Sequence, residues 1–149
     1  MGASQVAAMQ AKGVNAAIKH FVANDQETNR AGLCTFASEQ TYRQNSLKGF
    51  EGAFTKGGAL DTMMSFNRIG LETMYQNAAT CTGVLREEWG FKGVTITNSV
   101  KGAKDVYTVP CLVAGSDTFN ADTGRSTEIL KYLVKNKDGY VLQALRRAN

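Results

Sequence analysis

The sequence predicts a single α/β domain built around a parallel β-sheet. Three observations support this fold class. Short apolar segments typical of strands alternate with longer segments whose apolar residues recur at helical spacing. Many of the 15 glycines and the single proline fall at the joints between these segments. Strands separated by helices imply parallel pairing with right-handed crossovers, and 149 residues suffice for one compact domain.

The first elements are a helix, a strand and a long loop. Residues 3–12 have a helical pattern that stops at Gly13, a residue suited to a helix C-cap. Residues 14–19 predict the first strand. A polar loop rich in Asn, Asp, Gln and Thr is expected from about residue 22 to residue 40.

Two capping boxes predict where the next two helices begin. Thr41 and Gln44 form the first box, and the helix after it carries apolar residues at three- and four-residue spacing until Gly57. Residues 60–66 then predict the second strand. Thr73 and Gln76 form the second box, and its helix extends to Trp89 and ends at Gly90. Residues 94–97 predict the third strand.

In the C-terminal third of the chain, the sequence pattern predicts one more strand and three helices. A helix over roughly 103–113 should be kinked or shortened by Pro110, and a fourth strand follows at 116–119. Two closing helices are indicated by apolar residues at helical spacing. These residues are Ile129, Leu130, Leu133 and Val134 in the first helix, and Tyr140, Val141, Ala144 and Leu145 in the second.

Composition argues against several function classes. The net charge is +4, but the basic residues near the C-terminus are spaced like the solvated face of a helix, and no nucleic-acid-binding motif accompanies them. These residues are Lys131, Lys135, Lys137, Arg146 and Arg147. Three dispersed cysteines and one histidine argue against a zinc site, and Cys81 fits a buried structural thiol. We therefore expect no cofactor, no nucleic acid and no membrane partner. The chain has neither a transmembrane segment nor a signal peptide pattern, and the compartment stays open.

Polar and aromatic residues stand where the four predicted strands end. They are Lys19 and His20, then Phe66, Asn67 and Arg68, then Asn98, then Asp117. A doubly wound sheet would place a glycine-rich turn after the first strand, and none is present there. In part of a (β/α)8 barrel these residues all face one mouth and suit a neutral, hydroxyl-rich ligand such as a sugar. The alternative is that Lys19 and His20 simply cap the sheet.

Three ordered segments resemble glycoside hydrolase family 3, of the β-glucosidase type. Residues 19–30 resemble its K-H-F-x-x-N-x-Q-E-x-x-R motif, and residues 63–70 resemble its M-x-S-[YF]-N-x-x-G strand and loop. Residues 85–98 resemble its L-R-x-E-W-G-F-x-G-x-x-[IV]-[ST]-D segment. The resemblance runs from about residue 13 to residue 148. It implies a partial (β/α)8 TIM-type barrel of about four β/α units, with residues 1–149 as one domain that forms the later half.

The resemblance also implies roles for individual residues. Lys19 and His20 would bind glycone hydroxyls, and Met63 and Phe66 would line the same pocket. Position 98 would carry the catalytic nucleophile of a retaining β-glycosidase, acting on a β-linked glucoside or a related saccharide. Two further motif residues in the loop, Glu27 and Arg30, are interpreted as structural.

The sequence departs from the family pattern in two ways. The family nucleophile is aspartate, whereas this chain has Asn98, whose neutral amide cannot attack an anomeric carbon as a carboxylate does. A natural pseudoenzyme, an engineered variant and a sequence variant all stay open. A complete barrel also needs about 250 residues, so the family's earlier strands and its acid/base residue are not expected in this chain. The open sheet predicts self-association or pairing with a missing barrel half.

Three functional hypotheses follow. The favoured one is a β-glucosidase-type glycoside hydrolase fragment or variant that is weakly active or inactive as an isolated chain. The second is a non-catalytic carbohydrate-binding protein that uses Asn98 as a sugar ligand. The third is a basic interaction module with no role in sugar binding. Sugar and linkage preference stay open, because the missing segments build most of the aglycone side.

Overall fold

A computed structural model describes residues 2–100, 106–120 and 124–148. In chain order its elements are helix α1 (Gly2–Gln10), strands β1 (Ala17–Phe21) and β2 (Cys34–Thr35), helix α2 (Glu39–Thr41), a first π-helical segment (Tyr42–Leu47), helix α3 (Lys48–Thr55), strands β3 (Asp61–Met64), β4 (Arg68–Ile69) and β5 (Glu72–Thr73), a 3₁₀ turn (Met74–Gln76), a second π-helical segment (Ala79–Glu88), strand β6 (Val94–Ile96), and helices α4 (Thr108–Ala114), α5 (Gly124–Asn136) and α6 (Gly139–Ala148).

The main sheet is parallel, as the strand–helix alternation predicts. Its strand order is β1-β3-β6, and the fourth predicted strand is reduced to a single parallel bridge between Ile96 and Thr118. The first strand runs from 17 to 21 rather than from 14 to 19. The α/β class and the partial-barrel architecture are therefore confirmed, with shorter strands than the apolar segments indicate.

A second, smaller sheet was not predicted from the sequence. Strands β2 and β4 pair in parallel, and β4 and β5 pair antiparallel, in the order β2-β4-β5. Each strand has only two residues, which is too short for a periodicity of two to be visible. This small sheet joins the loop after β1 to the loop after β3, so it ties together two of the segments that carry the candidate site.

One face of the main sheet is covered by helices and aromatic side chains. Phe21 is fully buried and makes edge contacts with Phe50 and Phe54 of α3 and with Trp89. Phe54 also stacks on Trp89 and contacts the ring of Phe91 edge-on. Aromatic residues bury large apolar areas and add about 0.5–1.5 kcal/mol per well-oriented pair, so this cluster holds the helical layer on the sheet.

The other face of the main sheet is open. Along β3 and β6 burial alternates, so that Thr62 and Thr95 are fully buried whereas Val94 is 44% exposed. In β1, Ala17 and Lys19 are exposed. In a closed barrel this face is interior. This open face agrees with the open sheet expected from the sequence.

Both predicted capping boxes are wrong, although both helices exist. The first helix begins earlier, where the hydroxyl of Ser38 accepts a hydrogen bond from the backbone N–H of Thr41 at 3.2 Å. Before the second, the side-chain oxygen of Asn77 accepts from the N–H of Thr80 at 2.9 Å, while Thr73 lies in β5. Ser and Asn are as good at N-caps as Thr, so local propensity alone does not choose among these neighbouring residues.

The helix that contains Pro110 is shorter than the predicted segment. The helix starts at Thr108, so Pro110 lies in its first turn, where a backbone N–H has no intrahelical acceptor and its loss is tolerated. The start predicted at 103 falls among residues 101–105, outside the described residues. The predicted end near residue 113 agrees with the observed end at Ala114.

The last three helices form a second apolar cluster. Leu112 of α4 packs with Ile129 of α5 and with Val141 and Ala144 of α6. Leu130 and Val134, which helped to indicate α5, are 61% and 81% exposed and point outward.

Arg147 was expected on a solvated face, but its Nε donates to Asp117 at 3.1 Å and its Nη2 donates to the carbonyl of Leu112 at 2.7 Å. Among the described helices, none is long and apolar enough to cross a bilayer.

Candidate active site

Three strands bring three side chains into one row on the open face. In the register of the sheet, Lys19 pairs with Met63, and Met63 pairs with Ile96. Parallel strands about 4.8 Å apart place side chains at matched register positions beside one another on the same face. Two of the predicted site residues, Lys19 and Met63, are therefore direct neighbours near the carboxyl edge of the sheet.

An irregularity at His20 sets the direction of the residues that follow. Lys19 pairs with Met63 and Phe21 with Met64, so that β1 advances two residues while β3 advances one. His20 is the extra residue of this bulge. A bulge interrupts strand alternation and re-aims side chains, often beside functional sites. It lets Phe21 enter the buried aromatic cluster while Lys19 stays exposed and His20 half-buried.

The loop after β1 folds against the end of β3. Nη1 of Arg30 lies 2.9 Å from Oε2 of Glu27, and Oε1 of the same carboxylate accepts from the amide of Asn24 at 2.8 Å. The guanidinium of Arg30 lies over the ring of Phe66 at 5.0 Å from its centroid. The ion pair fits the structural role expected for Glu27 and Arg30. The contact with Phe66 was not predicted, because nothing in the sequence pairs these two positions.

Electrostatics around His20 favour a neutral imidazole. Burial lowers the pKa of His20 below its usual 6.5, the positive charges of Lys19 and Arg30 lower it further, and Glu27 opposes the shift. A neutral imidazole both donates and accepts a hydrogen bond, whereas the protonated ring only donates. The pair of Lys19 and His20 thus offers a cation and an amphoteric ring, a combination suited to hydroxyl groups.

Asn98 lies just past the end of β6, two residues after Ile96, which is on the open face. Ile96 belongs to the row formed with Lys19 and Met63, whereas Asn98 lies at a bend in the chain. Between Ile96 and Asn98, the N–H of Thr97 donates to the carbonyl of Thr118 at 3.0 Å. The side-chain oxygen of Asn98 accepts from the N–H of Ser99 at 2.8 Å. Its side chain is half-buried.

Two of the predicted strand-end residues are buried rather than exposed at the open face. Asn67 is fully buried. The carboxylate of Asp117 is 2% exposed and lies between Arg86 and Arg147, so its expected position at the mouth is wrong. The reason is the position of Asp117 in its strand: Thr118, one residue later, pairs with Ile96, so Asp117 lies before the carboxyl edge.

A cavity of about 870 Å³ lies away from this site, between the two π-helical segments. Its floor includes Leu47 and Val84, and Ala79 and Gly83 leave space because their side chains are small or absent. Cavities of this size are common binding sites. None of the predicted site residues lines it, so the sequence-based site and this cavity are separate features.

Comparison with known proteins identifies the family. The model described as "Glycosyl hydrolase family 3 N terminal domain" matches residues 1–139. The chain belongs to glycosyl hydrolase family 3. This membership agrees with the parallel sheet, the three ordered motifs and the residues along the carboxyl edge of the sheet.

Relatives of this family-3 chain include enzymes named β-glucosidase. A β-glucosidase of Rhizobium radiobacter is 41% identical over 90 residues, which cover 60% of this chain and 11% of the relative. β-Glucosidase B of Emericella nidulans is 32% identical over 148 residues, covering 96% of this chain and 17% of the relative. β-Glucosidase 3B of Thermotoga neapolitana, solved in complex with glucose, superposes with a TM-score of 0.87 at 33% identity, covering 97% of this chain and 21% of that chain. The chain thus spans about a tenth to a fifth of the length of these relatives.

Proposed function

We propose that this chain forms part of the saccharide-binding wall of a family-3 barrel and binds a β-linked glucoside or a related saccharide. The main support for this proposal is the register of the sheet with its bulge at His20. This register supports a shared site for Lys19, His20 and Met63 at the carboxyl edge of the main sheet. A structural relative that carries glucose supports the same ligand class. In this proposal residues 1–149 are one domain that supplies the later half of the barrel.

Each side chain has a role that its chemistry supports. The ammonium of Lys19 and the neutral imidazole of His20 bind hydroxyl oxygens and protons of the sugar. Met63 and Phe66 provide an apolar wall for the C–H face of the ring. Arg30 stacks on Phe66 and holds that wall in place, as the 5.0 Å contact supports.

Position 98 determines whether the site can catalyse hydrolysis. In a retaining mechanism a carboxylate attacks the anomeric carbon, the bond to the aglycone oxygen breaks, and a second carboxyl group protonates the leaving oxygen. The amide of Asn98 cannot form the glycosyl ester. It keeps nearly the shape of aspartate and can hydrogen-bond a hydroxyl, so binding survives while turnover is lost.

The open face of the sheet supports association in solution. Val94 is 44% exposed, and Lys19 and Ala17 are exposed on the same face. Unpaired strand edges and an uncovered face favour pairing with another chain. We expect the 149-residue chain to associate with itself or with a complementary half-barrel, and light scattering that shows a monodisperse monomer would count against this.

The experiment compares the chain with its Asn98→Asp variant. Glucose binding is measured by calorimetry, and turnover is measured with 2,4-dinitrophenyl β-glucoside, whose leaving group departs without protonation. We expect saturable glucose binding in both forms, and turnover about 10⁴–10⁶-fold higher in the variant. Asn98→Leu is the matched control, because it keeps the size but neither attacks nor hydrogen-bonds.

The outcomes separate the candidate functions. Turnover in Asn98→Asp but not in the control supports an enzyme lineage with a disabled nucleophile. Glucose binding in the chain without turnover in Asn98→Asp supports the second candidate, a non-catalytic carbohydrate-binding protein. The amide at position 98, which can hydrogen-bond but cannot attack, favours this candidate. Absence of saturable binding in every form would refute the proposal.

A further inference from the structure

We propose that Asp117 is a positioning residue: its Oδ2 atom, through Thr95, fixes the location of residue 98 at the edge of the sheet. This inference rests on the proposed function, because position 98 matters only if the site binds a saccharide. Asp117 itself lies outside that site. Its carboxylate is buried, and the contacts of its two oxygens divide between two parts of the fold.

Oδ2 of Asp117 holds strand β6. It accepts from the backbone N–H of Thr95 at 2.9 Å and lies 3.0 Å from the hydroxyl of the same residue. It also accepts from Nη2 of Arg86 at 2.5 Å. The other end of the Arg86 guanidinium donates to the carbonyl of Gly93 at 3.3 Å. One carboxylate oxygen thus fixes the middle of β6 directly, and its arginine partner fixes the residue before the strand.

The backbone around Asp117 completes this connection. The N–H of Asp117 donates to the hydroxyl of Thr95 at 2.9 Å, and that hydroxyl donates to the carbonyl of Gly115 at 2.7 Å. Further along, the hydroxyl of Thr97 accepts from the N–H of Asn120 at 3.1 Å. Thr95 and Thr97 are both fully buried. Their side chains therefore fix the buried face of this segment, and residue 98 is bonded directly to Thr97.

Strand β6 is short and is held from two sides, by its register with β3 and by the segment that contains Asp117. It has three residues, and its pairing with the segment that contains Asp117 is a single bridge at Ile96. Residue 98 lies only three residues beyond Thr95. A displacement of about 1 Å at a reacting or binding group can cost about 10²-fold in activity. The contacts of Oδ2 are therefore in a position to determine the geometry of the site.

Oδ1 of Asp117 has a different partner and supplies the matched control. It accepts from Nε of Arg147 in α6 at 3.1 Å, and Nη2 of Arg147 donates to the carbonyl of Leu112 in α4. Removing Arg147 loosens the docking of α6 but leaves the contacts of Oδ2 intact. The two oxygens can thus be tested separately.

The test uses the 149-residue chain, its Asp117→Asn, Thr95→Val and Arg147→Gln variants, and two readouts. NMR follows the side-chain amide of Asn98 and the backbone amide of Ser99, and calorimetry measures the glucose dissociation constant. We expect Asp117→Asn to move or broaden both signals and to weaken glucose binding about tenfold. Thr95→Val removes the hydroxyl that lies against Oδ2, accepts from the N–H of Asp117 and donates to Gly115, but keeps the hydrogen bond from the backbone N–H of Thr95 to Oδ2. It should act in the same direction, which keeps the test valid if Asp117→Asn does not fold. Arg147→Gln should lower the melting temperature while leaving the Asn98 signals in place and binding within about twofold.

Two results would overturn the inference. One is unchanged Asn98 and Ser99 signals in the folded Asp117→Asn and Thr95→Val variants. The other is an equal displacement of these signals in Arg147→Gln, which would indicate general loosening rather than positioning through Oδ2. Failure of the proposed function can be distinguished from failure of this inference. If the proposed function failed, the unmodified chain would not bind glucose, but the NMR signals of position 98 would still report the effect of each variant.

Discussion

Replacing Gly93 by alanine should disrupt the pairing of β3 and β6. A Cβ atom at this position would lie 2.0 Å from the carbonyl oxygen and 2.7 Å from the Cα of Leu60. Both atoms belong to the backbone, so no side-chain rotation relieves the overlap, and the chains must separate by about 1 Å. The separation also weakens the hydrogen bond from the N–H of Val94 to the carbonyl of Leu60, which is 3.0 Å long.

The expected cost is the sum of two terms. Overpacking in a close contact costs about 1–3 kcal/mol, and the loss of a backbone hydrogen bond adds about 1 kcal/mol. Gly93→Ala should therefore reduce the free energy of unfolding by about 2–4 kcal/mol, measured by urea denaturation. For a domain of this size that corresponds to a decrease in melting temperature of about 5–15 °C.

Gly49→Ala is the matched control for this prediction. Gly49 lies in α3, and a Cβ atom added there would meet no atom within 4 Å. The same substitution at this position should therefore stabilise the protein by about 0.5–1 kcal/mol. If Gly93→Ala changed stability by less than about 0.5 kcal/mol, the close approach of the two strands, and with it the sheet geometry that places residue 98, would be refuted.

Three further predictions concern single side chains. The pKa of His20, the only histidine, should lie below 6.5 in an NMR titration and rise towards 6.5 in Lys19→Met; a midpoint at or above 6.5 in the unmodified chain would contradict the site electrostatics. Because the unfolded chain binds this proton first as the pH falls, the contribution of His20 to stability is complete above 6.5 and declines as the pH falls from 6.5 towards the folded pKa. Ser38→Ala should cost about 1 kcal/mol in urea denaturation through loss of the N-cap, and no measurable loss would place the helix start elsewhere. Half-buried Cys34 should react first with a thiol reagent, since burial raises the pKa of Cys111 to about 12 and raises that of Cys81; equal labelling rates in the folded protein would contradict this.

The sequence predicted the architecture because hydrophobic periodicity and strand–helix alternation are local signals. Helix α1, which ends at Gln10, the π-helical segment that ends at Glu88 and the strand that begins at Val94 appear within a few residues of where these patterns place them. The helix starts failed because several residues of similar capping propensity stand close together. Ser38 and Asn77, not Thr41 and Thr73, make the capping contacts.

The candidate site was predictable only in part. Strand ends and motif resemblance selected Lys19, His20, Met63, Phe66 and Asn98, and their roles in binding stay predictions. The bulge at His20 and the stacking of Arg30 on Phe66 depend on tertiary contacts that no local pattern encodes. The direction of Asp117 could not be predicted either, because a shift of one residue along a strand reverses the face of a side chain.

The central claim is that Lys19, His20, Phe66 and Asn98 form one saccharide site, and an NMR titration of the chain with glucose tests it most directly. The account predicts saturable shifts in the signals of these four residues with a common dissociation constant. Shifts confined to the cavity between the π-helical segments, for example at Tyr42 and Thr80, would contradict it, and so would four residues that respond with unrelated affinities.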